Sequence, residues 1–267
     1  MMPTRHAVIE RLRAAGCVFA EEEADILFAA TRDPAHVEAL VAERVLGRPL
    51  EQVVGWAEFA GMRIIVEPGV FVPRRRTELL VAQVLELAGA SAIVVDLCCG
   101  SGAIAAVVAA HRPGADVYAV DIDPDAVRCA RRNLGDAGQV LLGDLDTPLP
   151  ASLRGRVDVI VANAPYVPTS EIRWLPPEAR VHERAVTLDG GSDGLDVQRR
   201  VAAVAPGWLT SGGHLLIETS AHQCESTVAA YTANGFTTRV VRSDDLGATV
   251  VIGTLKERVG AVEPGRV

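Results

Sequence analysis

Four short apolar runs, SAIVVDL, ADVYAVD, QVLLGD and VDVIVAN, fall between residues 91 and 163, and each ends on or beside an acid or an amide. Helical patterns separate the first three, from Ser101 to Ala110 and from Pro124 to Asn133. Parallel strands need a crossover between them, usually a helix, so this alternation predicts an open, doubly wound α/β sheet. In such a sheet a ligand binds outside the carboxyl ends of the strands. What those ends carry therefore matters most.

The first strand end offers Asp96 and the loop CCGSGA, with Cys98, Cys99, Gly100, Ser101 and Gly102; the second offers Asp121, the third Asp144, the fourth Asn163 to Tyr166. Gly100, Gly102 and Ala105 fit the spacing G-x-G-x-x-A of a loop whose backbone lies against a nucleotide, with Asp121 placed to hold ribose hydroxyls. The same spacing occurs in NAD enzymes and in plain strand-to-helix turns. Asp96 separates these readings, because a carboxylate before the loop repels a pyrophosphate and attracts a cation. S-adenosylmethionine (SAM) carries an ammonium and a sulfonium and no phosphate, and Asp144 is placed to accept from its adenine amino group.

Beside a methyl donor, NAPY has a chemical reading. The Asn163 side-chain carbonyl and the Ala164 backbone carbonyl can accept from a substrate NH2. An amide or exocyclic amine is a poor nucleophile because its lone pair is delocalised, and two acceptors on its hydrogens aim that lone pair at the methyl group. Catalysis would then rest on positioning and electrostatics. Pro165 stiffens the loop and Tyr166 offers a flat face to a planar group. A capped turn is the bland alternative, since Asn and Pro are common turn residues.

Residues 1–55 read as a small helical unit, with Val8, Ile9 and Leu12 on one stripe and Asp33 capping a helix that starts at Pro34. Residues 56–73 alternate around Gly61 and read as a β-hairpin, residues 74–255 as the α/β domain, and 256–267 as a disordered tail. Within the domain, helices are expected from Leu195 to Leu209 and from Ala221 to Ala233, with GGHLLIET a strand and FTTRVVR and GATVVIGT a closing antiparallel pair. The net charge is −8 and Lys256 is the single lysine, which disfavours a dedicated duplex binder. Five cysteines without C-x-x-C spacing and six scattered histidines argue against a metal site. No apolar run reaches the roughly 20 residues of a membrane span, and charges at Arg5, Glu10, Arg11 and Arg13 break up any secretion signal, so a cytoplasmic protein is expected.

RPLEQVVGWAEFAG, VFVPRRRTELLV, VVDLCCGSGAIA, DIDPDAVRCARRN, GDLD, NAPYVP, GGSDGLDVQRRV and GGHLLIETSAHQ occur in the order seen in the HemK/PrmC family of protein-(glutamine-N5) methyltransferases, which the chain resembles over nearly its whole length. The resemblance implies a Rossmann-like, seven-stranded SAM-dependent domain with its last strand antiparallel, preceded by a helical substrate-recognition domain and a hairpin. It implies methylation of a glutamine side-chain amide in a protein partner, in the best-known case the GGQ loop of a peptide-chain release factor, with nucleic acid met only in a ribosomal context. It assigns Asn163, Ala164, Pro165 and Tyr166 to the substrate. To SAM it assigns the Cys98–Gly102 loop, Asp121 with Ile122, Asp144 with Leu145, and Asn163. An N6-adenine methyltransferase of RNA or DNA is the alternative, since an adenine NH2 suits the same device. The chain departs from the family's pattern in three places: Ala164 replaces a proline, Cys98 a glycine, and Arg75 with Arg76 a proline and an acid. The last pair reverses the charge beside the expected substrate entrance.

Overall fold

The computed structural model describes residues 2–256; the expected disorder of the tail falls mostly outside them. Four helices come first: α1 (Arg5–Ala14), α2 (Ala20–Ala30), α3 (Pro34–Val45) and α4 (Leu50–Val54). Thr4 and Asp33 cap α1 and α3 by accepting from Ala7 N and Ala35 N. Their apolar stripes close on one another through Val8, Leu12, Leu27 and Val41. Beside this core Arg44 and Glu23 form a buried two-bond pair, Nε–Oε2 2.6 Å and Nη2–Oε1 3.0 Å.

The hairpin consists of β1 (Trp56–Phe59) and β2 (Met62–Ile65). Phe59 and Ile64 are buried in the larger domain's core. Asn133 fixes the hairpin further: its Oδ1 accepts from Ile65 N at 2.7 Å, and its Nδ2 donates to Ile65 O at 2.9 Å and to Ser101 O at 2.8 Å.

The α/β domain runs α5 (Glu78–Leu87), β3 (Ile93–Leu97), α6 (Ala103–His111), β4 (Asp116–Asp121), α7 (Pro124–Leu134), β5 (Gln139–Leu142), β6 (Val157–Ala162), α8 (Pro177–His182), α9 (Asp196–Val204), β7 (Leu209–Thr219), α10 (Cys224–Ala233), β8 (Phe236–Ser243) and β9 (Ala248–Leu255). The sheet order is β5-β4-β3-β6-β7-β9-β8. β9, last in the chain, runs antiparallel to both of its neighbours, and the other adjacent pairs are parallel. Alternate residues feed opposite faces, as the period of two requires. Val94, Val159, Val161 and Leu216 pack with α5, α6 and α7, whereas Val95, Ile160, Leu215 and Ile217 pack with α9 and α10.

Several expected boundaries move, α10 starting at Cys224 and not Ala221 among them, and two of the shifts have a clear local reason. The helix expected from Ser101 starts at Ala103, because Gly102 is left-handed (φ 74°) and still belongs to the turn. The helix expected to reach Leu209 stops at Val204 and becomes the 3₁₀ turn Ala205–Gly207: Ala205 keeps helical angles (φ −53°, ψ −41°), but Pro206 has no N–H with which to continue the α-helical ladder. Leu209 instead opens β7, whose register against β6 shifts between Val157 and Val159.

Candidate active site

The ends of β3, β4, β5 and β6 open into one cleft with an empty volume of about 1210 Å³, open mouth included. Among its walls are Cys98 to Ser101, Asp121, Ile122, Asp144, Leu145 and the whole of Asn163 to Tyr166.

The loop after β3 is held from beneath. Gly100 N donates to Asp121 Oδ2 at 2.8 Å, Cys99 N to Val120 O at 3.0 Å, and Gly102 N to Cys99 O at 2.8 Å. Cys98 adopts φ 58°, a left-handed backbone in which a side chain is strained. Gly102 also serves packing, because a Cβ there would stand 2.8 Å from the Cβ of Ala130 on α7.

Asp121 uses one oxygen on Gly100 N and the other on Asp123 N at 2.9 Å. A carboxylate has about four acceptor sites, so capacity remains for hydroxyls in the cleft. Burial raises its pKa, against the pull of those backbone donors. Ile122, half exposed, presents an apolar surface beside it. Asp144 Oδ2 accepts from Arg200 Nη2 at 2.6 Å, a cation the sequence reading had not paired with it.

Asp96 stands apart from the other strand-end acids. It is fully buried and lies beneath the cleft, outside its wall. Oδ2 accepts from Ala105 N at 3.2 Å, and Oδ1 has no partner among the described residues. Burial pushes its pKa up to about 8, with the Asp121 charge adding and the Ala105 bond opposing, so near pH 7 the carboxyl is mostly neutral. Asp96 therefore lies behind the cleft wall, whereas its place in the sequence put it among the residues facing the ligand.

On the opposite side, Asn163 Nδ2 donates to Thr77 Oγ1 at 3.2 Å, which leaves Asn163 Oδ1 free to accept from a ligand in the cleft. No donor among the described residues bonds the Ala164 carbonyl. The Arg76 guanidinium lies 5.6 Å from the Tyr166 ring centre, and its Nε donates to Glu218 Oε1 at 3.1 Å. Burial pushes the Tyr166 pKa up to about 12; the Glu218 charge adds to that, and Arg76 and Arg74 oppose it.

Residues 185–194 grip the NAPY loop. Val167 N donates to Leu188 O, Gly190 N to Val167 O, and Gln223 Nε2 to both Tyr166 O (2.8 Å) and Asp193 O (3.0 Å). A Cβ on Gly190 would come within 2.7 Å of Pro165 O, and one on Gly194 would overlap Tyr166 O. The sequence reading placed Arg76 beside the substrate entrance without its partner Glu218, and missed Thr77, Arg200 and Leu188. A threonine in a helix start and a leucine between turns carry no pattern that places them against a loop about 20 to 90 residues away.

A family model described as "Methyltransferase small domain" matches residues 61–175. The release factor glutamine methyltransferase of Geobacter sulfurreducens is 39% identical over 217 residues, covering 80% of this chain and 75% of that protein. That of Mycolicibacterium smegmatis is 41% identical over 227 residues, covering 83% and 80%. A third relative, the 4-amino-L-phenylalanine/4-methylamino-L-phenylalanine methyltransferase of Streptomyces pristinaespiralis, is 36% identical over 203 residues, covering 73% and 69%. A methyltransferase of Pyrococcus furiosus shares the fold at TM-score 0.56 and 16% identity, over 74% of this chain and 91% of that one. Strand order, cleft position and these relatives agree, and the chain belongs to the release factor glutamine methyltransferase family.

Proposed function

We propose that the protein uses SAM to methylate the side-chain amide nitrogen of a glutamine in a protein, a release factor being the first candidate. The observation that carries this reading is Asn163, whose amide nitrogen is tied to Thr77 so that its oxygen, with the Ala164 carbonyl, is left as an acceptor pair. Two such acceptors fit the two hydrogens of a primary amide. SAM, when bound, supplies the electrophilic methyl group.

The chain's own residues fit that donor on two counts. Gly100 leaves the backbone open to the cleft, since a Cβ there would meet nothing nearer than 3.9 Å, and Asp121 keeps acceptor capacity beside an apolar Ile122 face. Pro165 and Tyr166 flank the acceptor with flat surfaces. Asn163 Oδ1 and the Ala164 carbonyl would hold the two amide hydrogens so that the nitrogen lone pair faces the donor's methyl group, one of those protons being released afterwards, and this orientation would be their main contribution.

The test is transfer of a labelled methyl group from SAM to the host's release factor, beside a Gln→Ala variant of its GGQ loop and an RNA control. Label on the wild-type factor alone supports the reading; label on RNA, or equal label on the Gln→Ala variant, overturns it. Thermal unfolding with SAM or NAD checks the donor separately, because a ligand that binds only the folded state raises Tm. Stabilisation by NAD and not SAM would defeat the assignment.

A further inference from the structure

We propose that Arg76 reads a carboxylate on the acceptor, held within one side-chain length of the nitrogen that is methylated. The inference rests on the methyl-transfer site proposed above, whichever NH2 group it accepts, and narrows its acceptor class.

Position is the first argument. Arg76 and Thr77 are neighbours on the 3₁₀ turn Arg75–Thr77. Thr77 orients Asn163, and Arg76 forms the adjoining stretch of cleft wall above Tyr166. The same short turn therefore sets both the acceptor pair and a cation beside it.

Donor capacity is the second. A guanidinium carries five N–H donors, and Glu218 Oε1 takes only the one on Nε. The end bearing the two terminal nitrogens is the edge that binds a carboxylate through two parallel hydrogen bonds. Glu218 is almost fully buried and held on β7, whereas the Arg76 side chain is 43% exposed, so its outer part meets the cleft and solvent. Arg76 is thus anchored on one side and available on the other.

Contrast with the neighbouring cations is the third. Arg74 is paired with buried Glu183 and lies 4.9 Å from the Phe71 ring centre. Arg75 is exposed and forms no part of the wall. Arg200, the other arginine in the wall, is paired with Asp144 at the end of the cleft near Leu145. Beside Asn163 this leaves Arg76 as the wall cation with donors to spare, among side chains that are largely apolar and so strengthen a charge-assisted bond. The carboxylate can belong to an Asp or Glu next to the acceptor glutamine, or be the α-carboxylate of a free amino acid.

Four acceptors distinguish these sources when given to the full chain with labelled SAM. Two are peptides with a Gly-Gly-Gln core, one with Glu and one with Ser beside the glutamine. The others are 4-amino-L-phenylalanine and its carboxamide, which lacks the anion. In the pair that is turned over, the carboxylate member should show a KM about tenfold lower at similar kcat, the size expected for one charge-assisted contact. Arg76→Gln should erase that difference, and Arg75→Gln should leave it. Because Arg76→Gln strands the buried Glu218 charge, Arg76→Gln with Glu218→Gln is measured too and should also show no preference. Equal KM for both members in the wild type overturns the inference while the methyltransferase reading stands. So does an Arg76→Gln effect confined to kcat and equal for both. Turnover of the amino-acid pair alone, with the Arg76-dependent preference, would sustain it and defeat the glutamine reading; turnover of none of the four would defeat both.

Discussion

A methyl group added at Gly102 would meet Ala130 Cβ at 2.8 Å in a backbone of φ 74°, whereas at Gly100, φ 54°, the nearest atom is 3.9 Å away. Gly100→Ala should therefore bear only the left-handed strain, about 1 kcal/mol. Gly102→Ala adds a clash between α6 and α7 and should cost about 2–4 kcal/mol in urea unfolding. Equal losses would mean that the helix contact yields freely. Both glycines stood out in the sequence through spacing, yet the spacing says nothing of which one a neighbouring helix requires. Asn163 was legible in the same way, from its place after an apolar strand, but Thr77 and Glu218 were not. Their parts depend on contacts across 86 residues for Thr77 with Asn163 and 142 for Arg76 with Glu218, and no local pattern encodes these. Asn163→Ala should lower kcat about 100-fold, by analogy with loss of one group that orients the transition state, while the Kd for SAM changes little. A parallel loss of SAM affinity would move Asn163 to the donor's side.

At the scale of elements, β3, β4, β5 and β6 were legible because each is a short apolar run closed by a polar residue, and buried parallel strands need that composition. The direction in which each closing side chain points was not legible. Asp121 and Asp144 reach the cleft, while Asp96, one residue before the end of β3, turns inward and is fully buried. This has a pH consequence whose sign follows from proton binding. The folded pKa of Asp96 is about 8 against an ordinary 3.8, so between those values the native protein holds a proton that the unfolded chain has released. Its contribution to stability is complete below about pH 4 and is lost as pH rises toward 8. Asparagine cannot ionise, so the stability of Asp96→Asn relative to wild type should increase from about pH 5 to about pH 8 when both are unfolded in urea. A difference that stays constant with pH would show Asp96 to be ionised throughout and would return its charge to the ligand's side.

At the scale of the molecule, the stretch after β6 joins parts far apart in sequence. Glu178 on α8 pairs with Arg44 Nη1 of α3 at 2.6 Å, Glu183 with Arg74, and Arg184 with Asp123 at 2.6 Å and with Asp125, both at the start of α7. Thr187 and Leu188, which follow directly, line the cleft. Glu178–Arg44 thus ties the segment leading to one wall of the cleft to the helical unit, and the other pairs tie it to the larger domain. Their strengths should differ, because Glu178 is about half exposed, whereas Glu23, the other partner of Arg44, is almost fully enclosed. Glu178→Ala removes a partly screened pair and should cost no more than about 1 kcal/mol of global stability. Arg44→Ala strands the Glu23 carboxylate in the α1–α4 core and should cost about 3–5 kcal/mol. The milder variant is the informative one for function. If Arg44 steadies the cleft wall through α8, Glu178→Ala should speed amide hydrogen exchange in residues 177–188 and leave exchange in α1 and α2 unchanged. Faster exchange confined to the helical unit would mean that the pair serves that unit's stability and not the cleft.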